Sequence, residues 1–325
     1  MNLFKTLAGA ATTAIVIAGP LAAETLRLNH NLPEQSVTGQ NFEMFADRVN
    51  ELTDGDLRIR VFHGGQLGGQ RESIELVQQG ALDIAKTNAA EMEAFDPIYS
   101  IFNLPYIFTS GEHAMRVLQG EVGEAVLASD GAPGLVGLGL LYEGCRSFYT
   151  NKPVASFDDI QGMKIRVQPS PSAIRMIELM GAQPTPIAFP ELYSALQQGV
   201  VDGAENNVGA LTYVRHGEVA KTFVRNEHSC IPATYVISQS TWDKLSDEHK
   251  AALRTAAAEA LERSWTMQGE DETAQEAKFI GEMGGSIVEV DKAPFIAAVA
   301  PMIADAKAAG GEAAALIEQI EALAD

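Results

Sequence analysis

From residue 24 onward, the apolar positions switch between a period of two and a helical period. Thr25–Asn29 reads as an extended segment, after which Phe42, Phe45, Ala46, Val49 and Leu52 recur at helical spacing. Thr53-Asp54-Gly55 stops that helix. Leu57–Phe62 alternates as a strand, Arg71–Gln79 is a short helix closed by Gly80, and Ala81–Ala85 is the next strand. This order of strand, helix, strand, helix and strand predicts a parallel sheet covered by helices on both faces.

A second series follows. The apolar, Gly-rich run Gly134–Leu141 reads as a buried strand leading into Gly144-Cys145-Arg146-Ser147-Phe148-Tyr149-Thr150. Met163–Val167 is a strand, Ser172–Met180 a helix ended by Gly181, Pro190–Gln198 a helix ended by Gly199, and Val200–Ala204 a strand. The second lobe repeats the architecture of the first without repeating its sequence. From Ser246, a candidate N-cap, Ala-rich and charged sequence runs to Met283 without a proline and predicts one long helix. At 1.5 Å per residue it would be about 55 Å long, enough to cross both lobes. Pro294–Ala324 is helical again, with Pro294 suited to a first turn. No low-complexity linker separates the halves, so crossing strands are expected to join them. The expected division is 24–145 mainly in the first lobe, 146–235 mainly in the second, and 236–325 as helices that span and complete both.

The first 23 residues carry Lys5, an apolar stretch from Thr6 to Gly19 and the small-residue end Leu21-Ala22-Ala23, the layout of a signal peptide cleaved after Ala23. No later stretch matches a spanning helix, so the exported chain is expected to be soluble. The 23 Lys+Arg against 43 Asp+Glu give a net charge of −20, which argues against nucleic acid and anionic membrane surfaces as partners. An anionic ligand would then need a local basic pocket. Cys145 and Cys230 belong to no CxxC pair; in an oxidising compartment they either form one disulfide or remain two buried thiols.

No metal-binding pattern, nucleophile elbow or phosphate loop is present, and no cofactor or catalytic role is expected. The Gly-rich run from His63 to Gln70 follows a strand and precedes a helix but lacks GxGxxG spacing, which favours a tight turn at a cleft rim over a dinucleotide site. Arg146 and Arg166 each sit in an otherwise apolar strand, where arginine is costly unless paired. Either an Asp or Glu of the chain pairs each one, or its planar fork receives a ligand carboxylate.

Gly162-Met163-Lys164-Ile165-Arg166-Val167 resembles the strand that carries the carboxylate-binding arginine in the solute-binding subunits of tripartite ATP-independent periplasmic (TRAP) transporters, the DctP family. Gly181-Ala182-Gln183-Pro184-Thr185-Pro186, Phe189 and the run Glu191 to Asn206 agree with it, as do Gln66-Leu67-Gly68, Leu104-Pro105-Tyr106 and the long helix after Ser246. The resemblance implies a two-lobed α/β periplasmic binding protein with inter-lobe crossing strands, a closing cleft and a long bridging C-terminal helix. It implies a Gram-negative periplasmic location and membrane permease subunits as partners. By the same resemblance, Arg166 makes the bidentate contact, Arg146 and Asn206 add a second basic contact and an amide, and Phe189 walls the cleft or joins the core. Asn31, Gln70 and Asn88 reach the ligand from the first lobe, with His30, Glu34 and Glu72 beside them as further hydrogen-bonding groups or rim positions. Amides that donate and accept suit hydroxyls. The expected ligand is therefore a sugar acid such as D-glucuronate or D-galacturonate, with aldonates, sialic acid, ectoine and C4-dicarboxylates as alternatives on the same scaffold.

Overall fold

The structure, a computed structural model, describes residues 24–324; the segment read as a signal peptide lies outside them. Among the described residues the strands are β1 (Glu24–Asn29), β2 (Leu57–Phe62), β3 (Ile84–Asn88), β4 (Leu135–Leu141), β5 (Arg146–Thr150), β6 (Lys164–Val167), β7 (Gln183–Pro186), β8 (Gly203–Asn206), β9 (Thr222–Ser229), β10 (Ala233–Ser238) and β11 (Ser286–Glu289). The helices are α1 (Val37–Leu52), α2 (Gln70–Gln78), α3 (Ala89–Met92), α4 (Gly111–Gln119), α5 (Glu121–Leu127), α6 (Pro171–Leu179), α7 (Leu192–Gln197), α8 (Val208–Tyr213), α9 (Gln239–Trp242), α10 (Asp247–Gly281), α11 (Ala293–Ala308) and α12 (Gly311–Ala322).

Two sheets form, in the orders β2-β1-β3-β10-β4 and β7-β6-β8-β5-β9-β11. The five strands of the first correspond in order to the first five of the second, which β11 extends by one. A central strand, β1 or β6, pairs in parallel with two neighbours, and an antiparallel strand, β10 or β5, follows beside the third. Because β10 comes after β9 in sequence yet lies in the first sheet, the chain crosses between lobes after β4 and again after β9. Residue 145 falls on the first crossing and residue 235 inside β10. Cys145 on the first crossing and Cys230 on the second are joined by a disulfide, which resolves the two alternatives left open for them.

Two strand starts differ from the sequence expectation, for the same reason. Residues 81–83 and 200–202 are not strand but the connection after a helix, and β3 and β8 begin at Ile84 and Gly203. In Gln79-Gly80-Ala81-Leu82-Asp83 and Gln198-Gly199-Val200-Val201-Asp202, the glycine takes positive φ (73° and 68°) and the next residue donates back into the helix. Leu82 and Val201 are then buried, and each aspartate carboxylate accepts a backbone N–H of a strand in the same lobe, that of Arg27 within β1 or of Lys164 at the start of β6. The halves thus do share a short sequence device.

Four further details refine the expected elements. Leu52 is exposed, so the buried stripe of α1 ends at Val49. Phe189–Glu191 is a 3₁₀ turn preceding α7. The C-terminal helical stretch breaks at Gly310, φ 72°, into α11 and α12. The long helix α10 starts after Ser246, whose hydroxyl accepts from the His249 N–H, and ends at Gly281. Its small Ala252, Ala256, Ala257 and Ala260 are buried, letting it lie close against α1 and β4 of the first lobe before it meets α8 of the second.

Candidate ligand-binding cleft

The carboxyl ends of the parallel strands of both lobes face one cleft, the usual location of a ligand site in open α/β sheets. The paired aspartates give the register between lobes. Counting from Arg27 and Lys164 aligns Asn31 with Gln168; counting from Asp83 and Asp202 aligns Asn88 with Asn207. Asn88 Oδ1 accepts from the Glu91 N–H (3.0 Å) and caps α3, and Asn207 Oδ1 accepts from the Ala210 N–H (2.7 Å) and caps α8. All four side chains line the cleft.

The first lobe contributes Asn31, Gln70, Lys86 and Asn88, and the second contributes Arg146, Arg166, Gln168, Phe189, Asn206 and Asn207. The sequence-predicted residues are thus brought together except for three. His30 is buried behind the wall, with Nε2 2.8 Å from His63 Nδ1 and its ring against Phe42. Glu72 and Glu34 are exposed and do not line the cleft. The expected roles of His30 and Glu72 are therefore corrected. Consecutive residues of an extended segment face opposite sides, so His30 turns away when Asn31 faces the cleft. Glu72, two positions after Gln70 on a helix, is rotated by about 200° from it.

The two arginines differ in kind. Arg146 has its fork filled: Nε and Nη2 engage both carboxylate oxygens of Glu205, Nη2 also donates to the Glu205 carbonyl (2.7 Å), and Nη1 donates to Asn206 Oδ1 (2.8 Å). The expectation of Arg146 as a second free basic contact is modified accordingly; it is a paired arginine that also holds the Asn206 amide. Burial alone would raise the pKa of Glu205, but Arg146 and His228 hold its carboxyl down to about 2. Arg166 is 1% exposed, donates from Nε to the Ile187 carbonyl at 2.8 Å, and has no carboxylate within salt-bridge distance among the described residues. Burial pulls its guanidinium below the ordinary range. Its Cζ lies 5.8 Å from the Phe189 ring centroid, and that ring meets His216 edge-on at 5.5 Å, so Phe189 is a half-buried wall residue.

Around Arg166 stand buried polar atoms with no protein partner: Asn31 Oδ1, Gln70 Nε2 and Gln168 Oε1. Each such atom left without a partner costs about 1–3 kcal/mol. Sequence reasoning missed Gln168, Asn207, the buried Lys86–Glu143 ion pair (2.9 Å), and Asp271, which accepts from the Tyr213 hydroxyl at 2.7 Å. A signal existed for the first two. Gln168 follows Arg166 by two positions, the spacing that shares a strand face, and Asn207 is found by aligning the two Gln-Gly-x-x-Asp turns.

A two-lobed α/β fold with crossing strands and an unpaired arginine in the inter-lobe cleft defines a solute-binding protein. Residues 28–309 match the family model described as bacterial extracellular solute-binding protein, family 7 (DctP), and the chain belongs to that family, the solute-binding subunits of TRAP transporters. It is 38% identical over 259 residues to the Salmonella typhimurium protein YiiZ, described as uncharacterized, covering 79% of each chain. Two solved TRAP solute-binding proteins are similar throughout. One from Roseobacter denitrificans, with bound β-D-glucuronate, is 35% identical with a TM-score of 0.86, covering 92% of this chain and 99% of that one. One from Bradyrhizobium sp. BTAi1, in complex with α/β-D-galacturonate, is 34% identical with a TM-score of 0.88, covering 91% and 99%. Among the described residues no helix is long and apolar enough to cross a membrane.

Proposed function

We propose that this protein captures a uronate, D-glucuronate or D-galacturonate, in the periplasm and delivers it unaltered to the membrane permease subunits of a TRAP transporter. The observation that carries the reading is Arg166: a fully buried guanidinium without a carboxylate, facing a polar cleft. A ligand carboxylate would neutralise it through two parallel hydrogen bonds. The amides of Asn31, Gln70 and Gln168, each with a buried atom still to be matched, suit the hydroxyls of a sugar ring. Asn206, held by Arg146, and the Phe189 ring complete the pocket around the carboxylate. The uronates bound by the similar solved proteins support the same class. Contacts from both lobes couple binding to closure, and the closed form is what the permease would recognise. The chemistry asked of the cleft is binding, not turnover, and no nucleic acid, cofactor or metal takes part.

A thermal-shift panel of D-glucuronate, D-galacturonate, D-erythronate, sialic acid, ectoine and C4-dicarboxylates tests this. A true ligand at 100 times its Kd adds about 2.7 kcal/mol of stability. Stabilisation by the uronates with the sugar recovered unchanged by NMR supports the proposal. Stabilisation by C4-dicarboxylates alone, or conversion of the uronate, overturns it.

A further inference from the structure

Outside the residues that line the cleft, Glu93 follows directly on α3 in the first lobe, and its carboxylate reaches the second. Oε2 accepts from the Ser170 hydroxyl and Oε1 from the Ser172 hydroxyl, both at 2.7 Å. Asn103 of its own lobe donates to Oε2 at 3.1 Å and fixes the carboxylate from behind. Ser170 is the N-cap of α6, accepting from the Ala173 N–H at 3.1 Å, so the carboxylate also meets the helix end that favours negative charge.

The placement of these bonds gives them a role. Asn88 caps α3, and Ser170, two residues after Gln168, caps α6, so Glu93 ties together the segments that continue the ligand-facing strands β3 and β6. Opening the cleft by separating these segments must break both serine bonds. The bonds at Glu143 differ: Glu143 sits on a crossing segment, joined covalently to both lobes, and its contacts to Lys86 and Thr38 lie at the hinge end of the cleft.

We propose that Glu93 is a positioning residue that latches the closed cleft: its carboxylate holds the α6 end of the second lobe against the first, slowing ligand escape without touching the ligand. A latch of this kind acts on closure, so it operates whichever acid occupies the cleft.

Ser172→Ala deletes one latch hydroxyl and leaves the Ser170 cap intact; Glu93→Gln removes the charge and keeps one acceptor. Both are made in the full-length exported protein, with paired spin labels at Met44→Cys and Val200→Cys, exposed positions on opposite lobes that leave the native disulfide in place. Pulsed EPR reads the lobe separation without ligand and with D-glucuronate, and stopped-flow reads the rates. Each substitution should raise koff about ten- to a hundredfold with kon changed less than twofold, or shift the ligand-free distances toward the longer population, the scale expected for losing a hydrogen bond to a charged group. Unchanged koff and unchanged distances in both variants overturn the latch. So does a loss shared equally by kon and by ligand-free thermal stability, which marks a fold defect. Failure of the parent protein to bind D-glucuronate would count against the uronate reading alone, and the ligand-free distances would then decide the latch.

Discussion

Arg146 on β5 and Glu205 on β8 form a buried bidentate ion pair, with Nη2 3.0 Å from Oε1, while 20 residues further along the chain Arg166 has none. Glu205 is committed to Arg146, and among the described residues no carboxylate lies within salt-bridge distance of Arg166, which leaves that guanidinium to the ligand. Removing half of a buried pair strands the other charge, typically at 3–5 kcal/mol, whereas replacing both halves with apolar groups is often close to neutral. Glu205→Ala should therefore lower the urea-unfolding free energy by about 3–5 kcal/mol, and Arg146→Met with Glu205→Leu should lose far less than the sum of the single changes.

For Arg166 the expectations for binding and stability have opposite signs. In the ligand-free protein its charge is desolvated without a counter-ion, a state bought at the expense of stability. Arg166→Leu should abolish uronate binding in calorimetry, a loss on the order of 3–5 kcal/mol, and should raise the Tm of the ligand-free protein. A Tm that falls instead would mean that the Ile187 hydrogen bond outweighs the desolvation.

Much of this was legible in the chain. Hydrophobic period and glycine stops gave both α/β series and the long helix, because burial against a sheet imposes those periods directly. An arginine inside an apolar strand marked Arg146 and Arg166 alike, since burial there demands a partner, and the family resemblance singled out Arg166 for the ligand. What stayed hidden depends on tertiary pairing. Nothing local says that Glu205, among 43 acidic residues, would claim Arg146. The starts of β3 and β8 were misplaced because Leu82 and Val201 are apolar for plugging a turn, not for lying in a strand. His30 was misassigned because the face of β1 pointing to the cleft is set by where the second lobe docks.

Acid should destabilise the protein in two stages. Burial, with Lys86 and His63 nearby, lowers His30 from 6.5 to about 3, and burial, with Arg166 nearby, lowers His216 to about 3. Below pH 6.5 the unfolded chain takes up protons that these folded histidines refuse, so their contribution is complete above 6.5 and is lost as pH falls toward 3. Glu205, depressed from 4.5 to about 2, contributes fully above 4.5 and loses its share as pH falls toward 2. Both windows run the same way. Urea-unfolding free energy should be flat above pH 7, decline below 6.5 and steepen below 4.5. His30→Asn should reduce the slope between pH 6 and 5 by about 1.4 kcal/mol per pH unit.

The disulfide bears on stability through where it closes the chain. Cys145 and Cys230 lie on the crossing segments that follow β4 and β9, and the bond encloses the β-strands of the second sheet from β5 to β9 in a loop with a sequence separation of 85 residues. In the chain-entropy picture a loop of that size restricts the unfolded ensemble by about 4–5 kcal/mol. Native packing contributes less to this figure than the loop does, because the two crossing segments stay adjacent through the pairing of β5 with β9 and of β10 with β4. Replacing both cysteines with serine should therefore lower the unfolding free energy by several kcal/mol and raise the m-value, because the unfolded chain is no longer held compact by the loop, while D-glucuronate affinity stays within about twofold. Reduction of the parent protein by a phosphine during urea titration should move its midpoint to that of the double variant. Coincident midpoints for oxidised and reduced protein would show that the crossing segments, not the bond, restrict the chain.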